Sequence, residues 1–319
     1  MNVLVTGGLG VNGAWVTARL VSMGVRPVVL ENRVDFSLLP QGVQDQITLV
    51  EADVTDVDSI RAAVRAHRID RLIHMAAVID GQSDPGMAFV VNAGGTVNVL
   101  EAAAREGVER VIYTSSRAVY GHVDGASSHP TYVPIKEDHP QQPRRVYDVT
   151  KCAGEGMGNN FADKYGFQFV ALRFAQIYGP GKSARHGNLG LFSRLVEGPL
   201  SGDEVVIEEG GEQKDDLIYV VDAADAIVRA AFHPQPRFRA YNISRNVGTT
   251  LHDFADSVRQ VVPGASIKIG PGVDYHRLGV QYYGLMDNQR AREDLGFIPR
   301  YDLTAGVSHY VQTLRSKFR

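Results

Sequence analysis

The sequence predicts an α/β protein with a doubly wound parallel sheet and a smaller, discontinuous C-terminal lobe. Strand-like and helix-like segments alternate through the first half of the 319-residue chain. The chain opens with a β-branched run, a glycine loop and a helical pattern, MNVLVTGGLGVNGAWVTARL. After residue 180 the segments become shorter and less regular. Such alternation is typical of successive βαβ units, which place parallel strands in one sheet.

The glycine loop between the first strand and the first helix has the spacing G-x-x-G-x-x-G, with Gly7, Gly10 and Gly13. A strand, a glycine turn and a helix in this order point free N–H groups and the positive end of a helix dipole at an anion. Gly7 would form the tight turn, Gly10 would admit a pyrophosphate, and Gly13 would let helix and strand pack closely. The loop therefore predicts a dinucleotide site, with an ordinary glycine-rich turn as the alternative.

The second and third strands each end near an acidic residue. PVVLE ends in Glu31, where a carboxylate accepts hydrogen bonds from the ribose hydroxyls and repels a 2′-phosphate. ITLVEADVTD contains Asp53, which is placed to reach the adenine edge. Arg33 is the one neighbour that favours a 2′-phosphate, and either acid could instead be a solvated loop residue. We expect NAD rather than NADP.

The remaining elements of the first half continue the alternation. Helices are predicted at VDSIRAAVRAH, from about 85 to 106 and from 147 to 164, and strands at RLIHMA, RVIYTSS and FQFVALRF. A polar, proline-bearing loop over 121–145 interrupts the pattern. Loops of that length inside a compact domain are usually functional.

The later segments divide between the sheet and the lobe. DLIYVVDAADAIVRAAF and AYNIS are predicted to return to the main sheet. We expect a Rossmann-type NAD-binding domain over 1–180 and about 215–247. About 181–214 and 248–319 are expected to form the substrate-binding lobe.

A tyrosine and a lysine are the candidate catalytic pair. Tyr147 and Lys151 stand one helical turn apart in YDVTK, so both project from one helix face. A nearby ammonium stabilises a phenolate and lowers its pKa from about 10, which makes proton transfer with a substrate hydroxyl feasible. Ser116 ends the strand RVIYTSS, at the sheet edge where ligands bind, and would hold the substrate oxygen. YxxxK alone is common by chance, so its weight comes from this setting.

At this level of detail the chain resembles the extended short-chain dehydrogenase/reductases, the NAD-dependent epimerase/dehydratase family that contains UDP-galactose 4-epimerase. The resemblance runs through TGGLGVNG, ADV, HMAA, NAGGTVNVLEAA, YTSSRAVYG, YDVTK, LRFAQIYGPG, DLIYVVDAADAI and AREDLGFIP. It implies a Ser116–Tyr147–Lys151 triad, with Asn92 and residues 75–77 beside the nicotinamide. The cofactor-binding residues expected from the motifs and the resemblance are Gly7, Gly10, Val11, Asn12, Gly13, Glu31, Asn32, Asp53, Val54, Met75, Ala76, Ala77, Asn92, Thr114, Tyr147, Lys151 and Phe174.

Two positions depart from the pattern of the family's nucleotide-sugar enzymes. Where those enzymes carry an asparagine that holds the substrate diphosphate, LRFAQIYGP has Gln176. Where DDLIYV would begin with an arginine for the same diphosphate, it begins with Asp215, which repels phosphate. A one-residue slip would bring Lys214 into play, and Asp215 could instead face solvent. The departures favour a substrate without a diphosphate.

Several basic residues flank the predicted catalytic groups. Arg117, Arg144 and Arg145 could bind a substrate carboxylate, and Lys182 and Arg185 follow the YGPG turn at the expected mouth of the cleft. Ordinary surface charges are the alternative for each of them. The residues expected to bind substrate are Ser116, Arg117, Gln176, Lys182 and Arg185.

Composition limits the partners and the location. A net charge of −3 and a pI near 6.4 argue against nucleic acid or an anionic membrane as the main partner. We expect a cytoplasmic protein, because the first strand begins at residue 2 and leaves no room for a signal peptide, and because the single Cys152 fits a reducing compartment. The ten histidines show no metal-binding spacing, so no metal is expected.

These observations lead to one main hypothesis and two alternatives. We expect an NAD-dependent oxidoreductase that transfers a hydride at a secondary alcohol of a small polar substrate, such as a sugar, sugar acid or polyol. The alternatives are a nucleotide-sugar 4-epimerase with tightly bound NAD and a non-enzymatic NAD-binding regulator. A homodimer is expected on the helices near 85–106 and 147–164. Within the second of these, Gly154, Gly156 and Gly158 indicate the close approach of another helix.

Overall fold

A seven-stranded parallel sheet is the centre of the computed structural model, which describes residues 1–80, 82–183 and 190–317. The strands are β1 (Val3–Thr6), β2 (Val28–Glu31), β3 (Thr48–Glu51), β4 (Arg71–His74), β5 (Arg110–Ser116), β6 (Gln168–Phe174), β7 (Gln176–Tyr178), β8 (Val205–Ile207), β9 (Asp215–Tyr219), β10 (Ala240–Ile243), β11 (Gly248–Thr249) and β12 (Ile267–Ile269). The α-helices are α1 (Gly13–Ser22), α2 (Val57–Ala66), α3 (Pro85–Phe89), α4 (Gly95–Glu106), α5 (Val146–Tyr165), α6 (Leu191–Leu200), α7 (Val220–Phe232), α8 (Leu251–Val261), α9 (Gln289–Glu293) and α10 (Leu303–Lys317).

The order of strands in the main sheet is β3-β2-β1-β4-β5-β6-β10, and every pairing is parallel. This is the doubly wound order, so the predicted fold class is confirmed. The strand order reverses between β1 and β4. In open α/β sheets a ligand crevice forms at that switch point, outside the carboxyl ends of the strands.

One predicted sheet member lies elsewhere. The segment DDLIY forms β9, which pairs with β7 and β11 in a separate three-stranded sheet. It cannot join the main sheet beside β6, because β10 already occupies that edge from Ala240 to Ile243. The prediction for AYNIS is therefore confirmed, and the prediction that DLIYV returns to the main sheet is wrong. The helix that follows, α7, does pack on the sheet through Ala223, Ile227 and Ala231.

Both faces of the main sheet are buried, which explains the apolar runs of its strands. One cluster, on the face covered by α1 and α7, includes Val5, Ile112 and Leu172. The other, on the face covered by α2, α4 and α5, includes Leu4 and Leu72. A third cluster packs α6, α8 and α10 against β9 in the smaller lobe. The sheet is thus held rigidly enough to position a site at its carboxyl edge.

The helix predicted over about 85–106 is α3 and α4 joined by a π-helical turn at Val90–Gly94. Among the described residues, Pro85–Glu106 is the one helix with the length and hydropathy of a membrane span. Half of its most apolar 18-residue stretch is buried inside the molecule. Val99 and Leu100 of this helix pack in the core of the main sheet. Pro85–Glu106 is therefore a core helix.

Two glycines of α5, Gly154 and Gly158, face the sheet rather than another helix. A Cβ on Gly154 would overlap the side chain of Tyr113 in β5, and one on Gly158 would overlap the ring of Phe169 in β6. A Cβ on Gly156 would meet nothing within 4 Å. The expectation of a helix at Gly154 and Gly158 is wrong, because sheet aromatics fill that space.

This packing predicts opposite effects for neighbouring glycine substitutions. Gly154→Ala and Gly158→Ala should each lower the free energy of unfolding by about 1–3 kcal/mol, because the added methyl overpacks the core. Gly156→Ala, the matched control, should raise it by up to about 1 kcal/mol through helix propensity alone. Urea unfolding measures all three. Equal effects at the three positions would contradict this packing.

Candidate active site

One cavity of about 1100 Å³ lies at the carboxyl ends of β1, β4, β5 and β6. It contains every cofactor-binding residue expected from the sequence except Asn92, and four of the five expected substrate residues. The fifth, Arg185, lies outside the described residues. The sheet and α5 therefore bring residues from separate motifs to one edge.

The glycine turn forms one wall of the cavity. Gly7 has a left-handed backbone, with φ of 71°, and a Cβ there would meet the backbone of Ala76 at 2.8 Å. A Cβ on Gly13 would overlap the carbonyl of Gly7, so α1 starts directly against the turn. Asn12 makes no capping hydrogen bond with its side chain at the start of α1. An open helix N-terminus beside bare backbone fits the pyrophosphate of a dinucleotide.

Acidic groups stand at the far end of the same cavity. The Glu31 carboxylate accepts a hydrogen bond from the Leu9 N–H at 2.7 Å, which ties it to the glycine turn. Asn32 donates to the Asp53 carboxylate at 2.8 Å. The backbone N–H of Thr55 contributes most to holding the pKa of Asp53 below its usual value. These carboxylates are placed as a ribose and an adenine would require.

Asn92 lies behind the cavity rather than in its wall. Its side chain accepts a hydrogen bond from the Val78 N–H at 2.7 Å and donates one to the Val78 carbonyl at 2.8 Å. It also contacts Thr150 of α5 at 3.3 Å. Asn92 thus fixes the loop after β4, which carries residues 75–78 into the cavity.

Tyr147 and Ser116 meet at the other end of the cavity. Both residues line the cavity, and Ser116 Oγ accepts the N–H of Ala118 at 3.1 Å. Burial raises the pKa of Tyr147 to about 12, while the neighbouring Ser116 side chain acts in the opposite direction. The phenol is therefore protonated at neutral pH. A protonated phenol beside a hydroxyl is equipped to give a proton to a carbonyl oxygen.

Lys151 lies beneath this pair. Its ammonium donates to the Thr114 carbonyl at 2.7 Å and lies 5.5 Å from the centre of the Tyr147 ring. Burial lowers the pKa of Lys151 to about 8. The sequence led us to expect that Lys151 lowers the pKa of Tyr147. In the structure the pKa of Tyr147 is raised instead, because burial of the phenol outweighs the other effects.

Arg117 and Asp215, which we expected from the sequence to be separate charges, form an ion pair. Arg117 binds both oxygens of Asp215, and its second nitrogen also lies 3.4 Å from the Gln176 carbonyl. Asp215 is 1% exposed and also accepts a hydrogen bond from Tyr275. Burial works to lower the pKa of Arg117, but the Asp215 charge outweighs it and raises that pKa. Asp215 therefore does not face solvent, and Arg117 is already paired.

The smaller lobe adds residues that sequence reasoning missed. His276, Leu278 and Tyr282 line the cavity from an irregular segment before α9. The Tyr282 hydroxyl donates at 2.7 Å to Asp148, the residue after Tyr147. Asp148 also accepts the N–H groups of Arg144 and Arg145 at the start of α5. No periodicity or motif in this segment marks it in the sequence.

The family model for the NAD-dependent epimerase/dehydratase family matches residues 3–244. The chain therefore belongs to this family of enzymes, as the motif resemblance implied, and NAD is the cofactor of the family. In the part of the chain that the structure describes, no three His, Cys, Asp or Glu side chains are grouped so that they could hold a metal ion.

Individual relatives are similar along their whole length. A UDP-glucose 4-epimerase of Mycolicibacterium smegmatis is 31% identical over 325 residues, covering 99% of both chains. The Thermotoga maritima UDP-glucose 4-epimerase, solved with UDP-glucose, superposes with a TM-score of 0.87 at 25% identity and full coverage of both chains. The Thermus thermophilus enzyme, solved with NAD, gives 0.83 at 26% identity, with 99% of both chains covered.

The position of Glu31 predicts a preference for NAD over NADP. Glu31→Ala should lower the ratio of the dissociation constant for NADP to that for NAD by roughly 5- to 10-fold. The reason is that about 1 kcal/mol of repulsion between Glu31 and the 2′-phosphate is lost. Glu51→Ala is the matched control, since Glu51 pairs with Glu31 across β2 and β3 but does not line the cavity. Calorimetric titration measures both ratios. Tighter binding of NADP by the unaltered protein would mean that Arg33 outweighs Glu31.

Proposed function

We propose that the protein is an NAD-dependent oxidoreductase that acts on a secondary alcohol of a small polar substrate, such as a sugar, sugar acid or polyol. The observation that carries this proposal is that Arg117, an arginine of the cavity wall, is paired with the buried carboxylate of Asp215. A diphosphate needs unpaired cationic donors, and arginine is the residue that best supplies them. Here the arginine is neutralised and a carboxylate stands beside it.

The proposed chemistry uses three residues of the cavity wall, Ser116, Tyr147 and Lys151. Ser116 holds the substrate oxygen by a hydrogen bond, and Tyr147 exchanges the proton of the hydroxyl. Lys151 holds positive charge near Tyr147 and stays fixed through the Thr114 carbonyl. NAD, held along the glycine turn and Glu31, would supply the redox chemistry as the hydride acceptor. In the reductive direction the protonated Tyr147 gives its proton to the carbonyl oxygen. In the oxidative direction Tyr147 first loses its proton to solvent and then accepts the proton of the hydroxyl, so that one proton is released for each alcohol that becomes a ketone.

A second candidate is a nucleotide-sugar 4-epimerase that retains its NAD. Its support is the 31% identity to a UDP-glucose 4-epimerase over nearly the full chain. Such an enzyme oxidises and re-reduces one carbon, and its substrate carries the diphosphate that Asp215 disfavours. The chain is an enzyme of the family, so a non-enzymatic regulator is set aside.

We also propose the division of the chain expected from its sequence, with the substrate lobe at about 181–214 and 248–319. The separate core of α6, α8 and α10 supports a distinct lobe, and β9 packs with that core and is not a strand of the main sheet, so the boundary near residue 215 falls after β9. Residues of 291–297 pack with the main sheet, so the lobe is tied to the first domain at that point. A cytoplasmic location is part of the proposal.

Cofactor-dependent turnover tests the proposed reaction. With NAD⁺, a panel of free sugars, polyols, aldonates and uronates should yield NADH with at least one compound. UDP-glucose should yield neither NADH nor UDP-galactose. Conversion of UDP-glucose to UDP-galactose without added NAD⁺ would contradict the proposal and support the epimerase.

Replacement of the candidate acid–base residue adds a control on the mechanism. Tyr147→Phe should lower turnover by at least about 100-fold, because a positioned acid–base group contributes that much or more. NAD affinity and thermal stability should stay close to those of the unaltered protein. Tyr113→Phe removes a hydroxyl from a ring 4.8 Å from the same lysine, but outside the cavity wall, and should retain most activity. Substantial turnover by Tyr147→Phe would assign the proton transfer to another group.

The proposed homodimer rests on an apolar surface. Met87, Phe89 and Val90 are each about half exposed near the start of the Pro85–Glu106 helix, and Val149 on the adjacent α5 is 43% exposed. A monomer would leave this patch in water. Sedimentation equilibrium at micromolar concentration should give the mass of two chains, and Phe89→Glu should shift it toward one. A single-chain mass for the unaltered protein would contradict the dimer.

A further inference from the structure

Four permanently or conditionally cationic side chains line the cavity near Tyr147 within the described residues, and three have partners. Arg117 is paired with Asp215. The Lys182 ammonium donates to the Ile177 carbonyl at 2.7 Å, and burial lowers its pKa to about 7. Lys151 donates to the Thr114 carbonyl. Arg117 is neutralised by a carboxylate, and each lysine is held by a backbone carbonyl.

Arg145 is the fourth, and its surroundings differ. It lies two residues before Tyr147, and its backbone N–H is fixed by the Asp148 carboxylate at 3.0 Å. Across residues 1–80, 82–183 and 190–317, no carboxylate lies within 4 Å of its guanidinium. The guanidinium is half-buried in the cavity wall without a counter-ion.

The acids closest to Arg145 are engaged elsewhere. Asp148 accepts the Tyr282 hydroxyl and two backbone N–H groups. Asp80 accepts the hydroxyl of Ser83 and the N–H of Gln82. Neither carboxylate contacts the guanidinium, although the Arg145 charge contributes to lowering the pKa of Asp80. The positive end of Arg145 is therefore left for a ligand.

The groups opposite Arg145 are neutral. Burial lowers the pKa of His276 to about 4, and the charges of Arg117 and Arg145 act in the same direction, so His276 is uncharged at neutral pH. Tyr282 is also uncharged, because burial raises its pKa. Of the two arginines that line the cavity in the described part of the chain, only Arg145 has no carboxylate partner, and one such guanidinium matches a single negative charge. Asp80 and Asp148 nearby would repel the second charge of a phosphate monoester.

We propose that Arg145 binds a carboxylate of the substrate, so that the substrate is a hydroxy acid of the sugar-acid class. A planar guanidinium binds a carboxylate through two parallel hydrogen bonds. Because Arg145 and Tyr147 lie at the start of one helix, the carboxylate and the reacting hydroxyl belong to one small molecule. This inference rests on the proposed function and names its substrate class.

Two adjacent arginines allow a matched test. Arg145 lines the cavity, whereas Arg144 is exposed and does not. Calorimetry on the NAD⁺-saturated protein measures the affinity for gluconate and glucuronate, for their neutral counterparts glucitol and glucose, and for 6-phosphogluconate. At least one acid should bind more tightly than its neutral counterpart. Arg145→Gln should weaken that acid by about 10- to 100-fold, the range for a lost hydrogen-bonded charge. Arg144→Gln should change it less than twofold.

Several outcomes would overturn the inference. A monocarboxylate site would be contradicted if the acids bind no better than their neutral counterparts. It would also be contradicted if Arg145→Gln and Arg144→Gln have equal effects, or if 6-phosphogluconate binds more tightly than the other acids. NADH formation from neutral compounds, unaffected by Arg145→Gln, would leave the proposed function standing without this inference. Binding of an acid through Arg145 without NADH formation from any compound would leave the site standing without the proposed function.

Discussion

The buried ion pair between Arg117 and Asp215 joins the end of β5 to the start of β9 at the substrate end of the cavity. Removing two charges from water costs several kcal/mol each, and only close pairing with further hydrogen bonds offsets that cost. Tyr275 and Gln176 supply those bonds from the lobe and from β7. The pair therefore fixes the contact between the lobe and the main sheet. It also neutralises the Arg117 charge at the substrate end of the cavity. It makes Arg145, rather than Arg117, the cation open to a ligand.

The neighbouring acid, Asp216, has a different role in the same region. It is fully buried and accepts backbone N–H groups from Arg245, Asn246 and Met286. Burial raises its pKa to about 7. Asp216 thus holds the two stretches that lead from the main sheet into the lobe, while Asp215 pairs with Arg117 and Tyr275. The two consecutive carboxylates bind different partners because alternate strand residues point to opposite faces.

Local patterns made much of the site predictable. The glycine spacing located Gly7, Gly10 and Gly13, and the one-turn spacing located Tyr147 and Lys151, because each motif depends on residues within one element. The pair of Arg117 and Asp215 joins positions 98 residues apart, so nothing local indicates it. The same holds for β9, whose apolar run fits either sheet and whose place is decided by β10 at the edge. His276 and Tyr282 come from an irregular segment that has no period to interpret, and the pKa of Tyr147 depends on burial that only the folded chain defines.

Binding of UDP to the NAD-saturated protein tests the central claim most directly, since UDP presents the diphosphate without the sugar. Calorimetry should detect no saturable binding at micromolar UDP by the unaltered protein. Asp215→Asn, which frees the Arg117 charge, should gain UDP affinity, and Asp80→Asn, which removes an exposed carboxylate from the same cavity, should not. Thermal unfolding checks that Asp215→Asn remains folded. Micromolar binding of UDP by the unaltered protein, displaced by the substrate, would contradict the account.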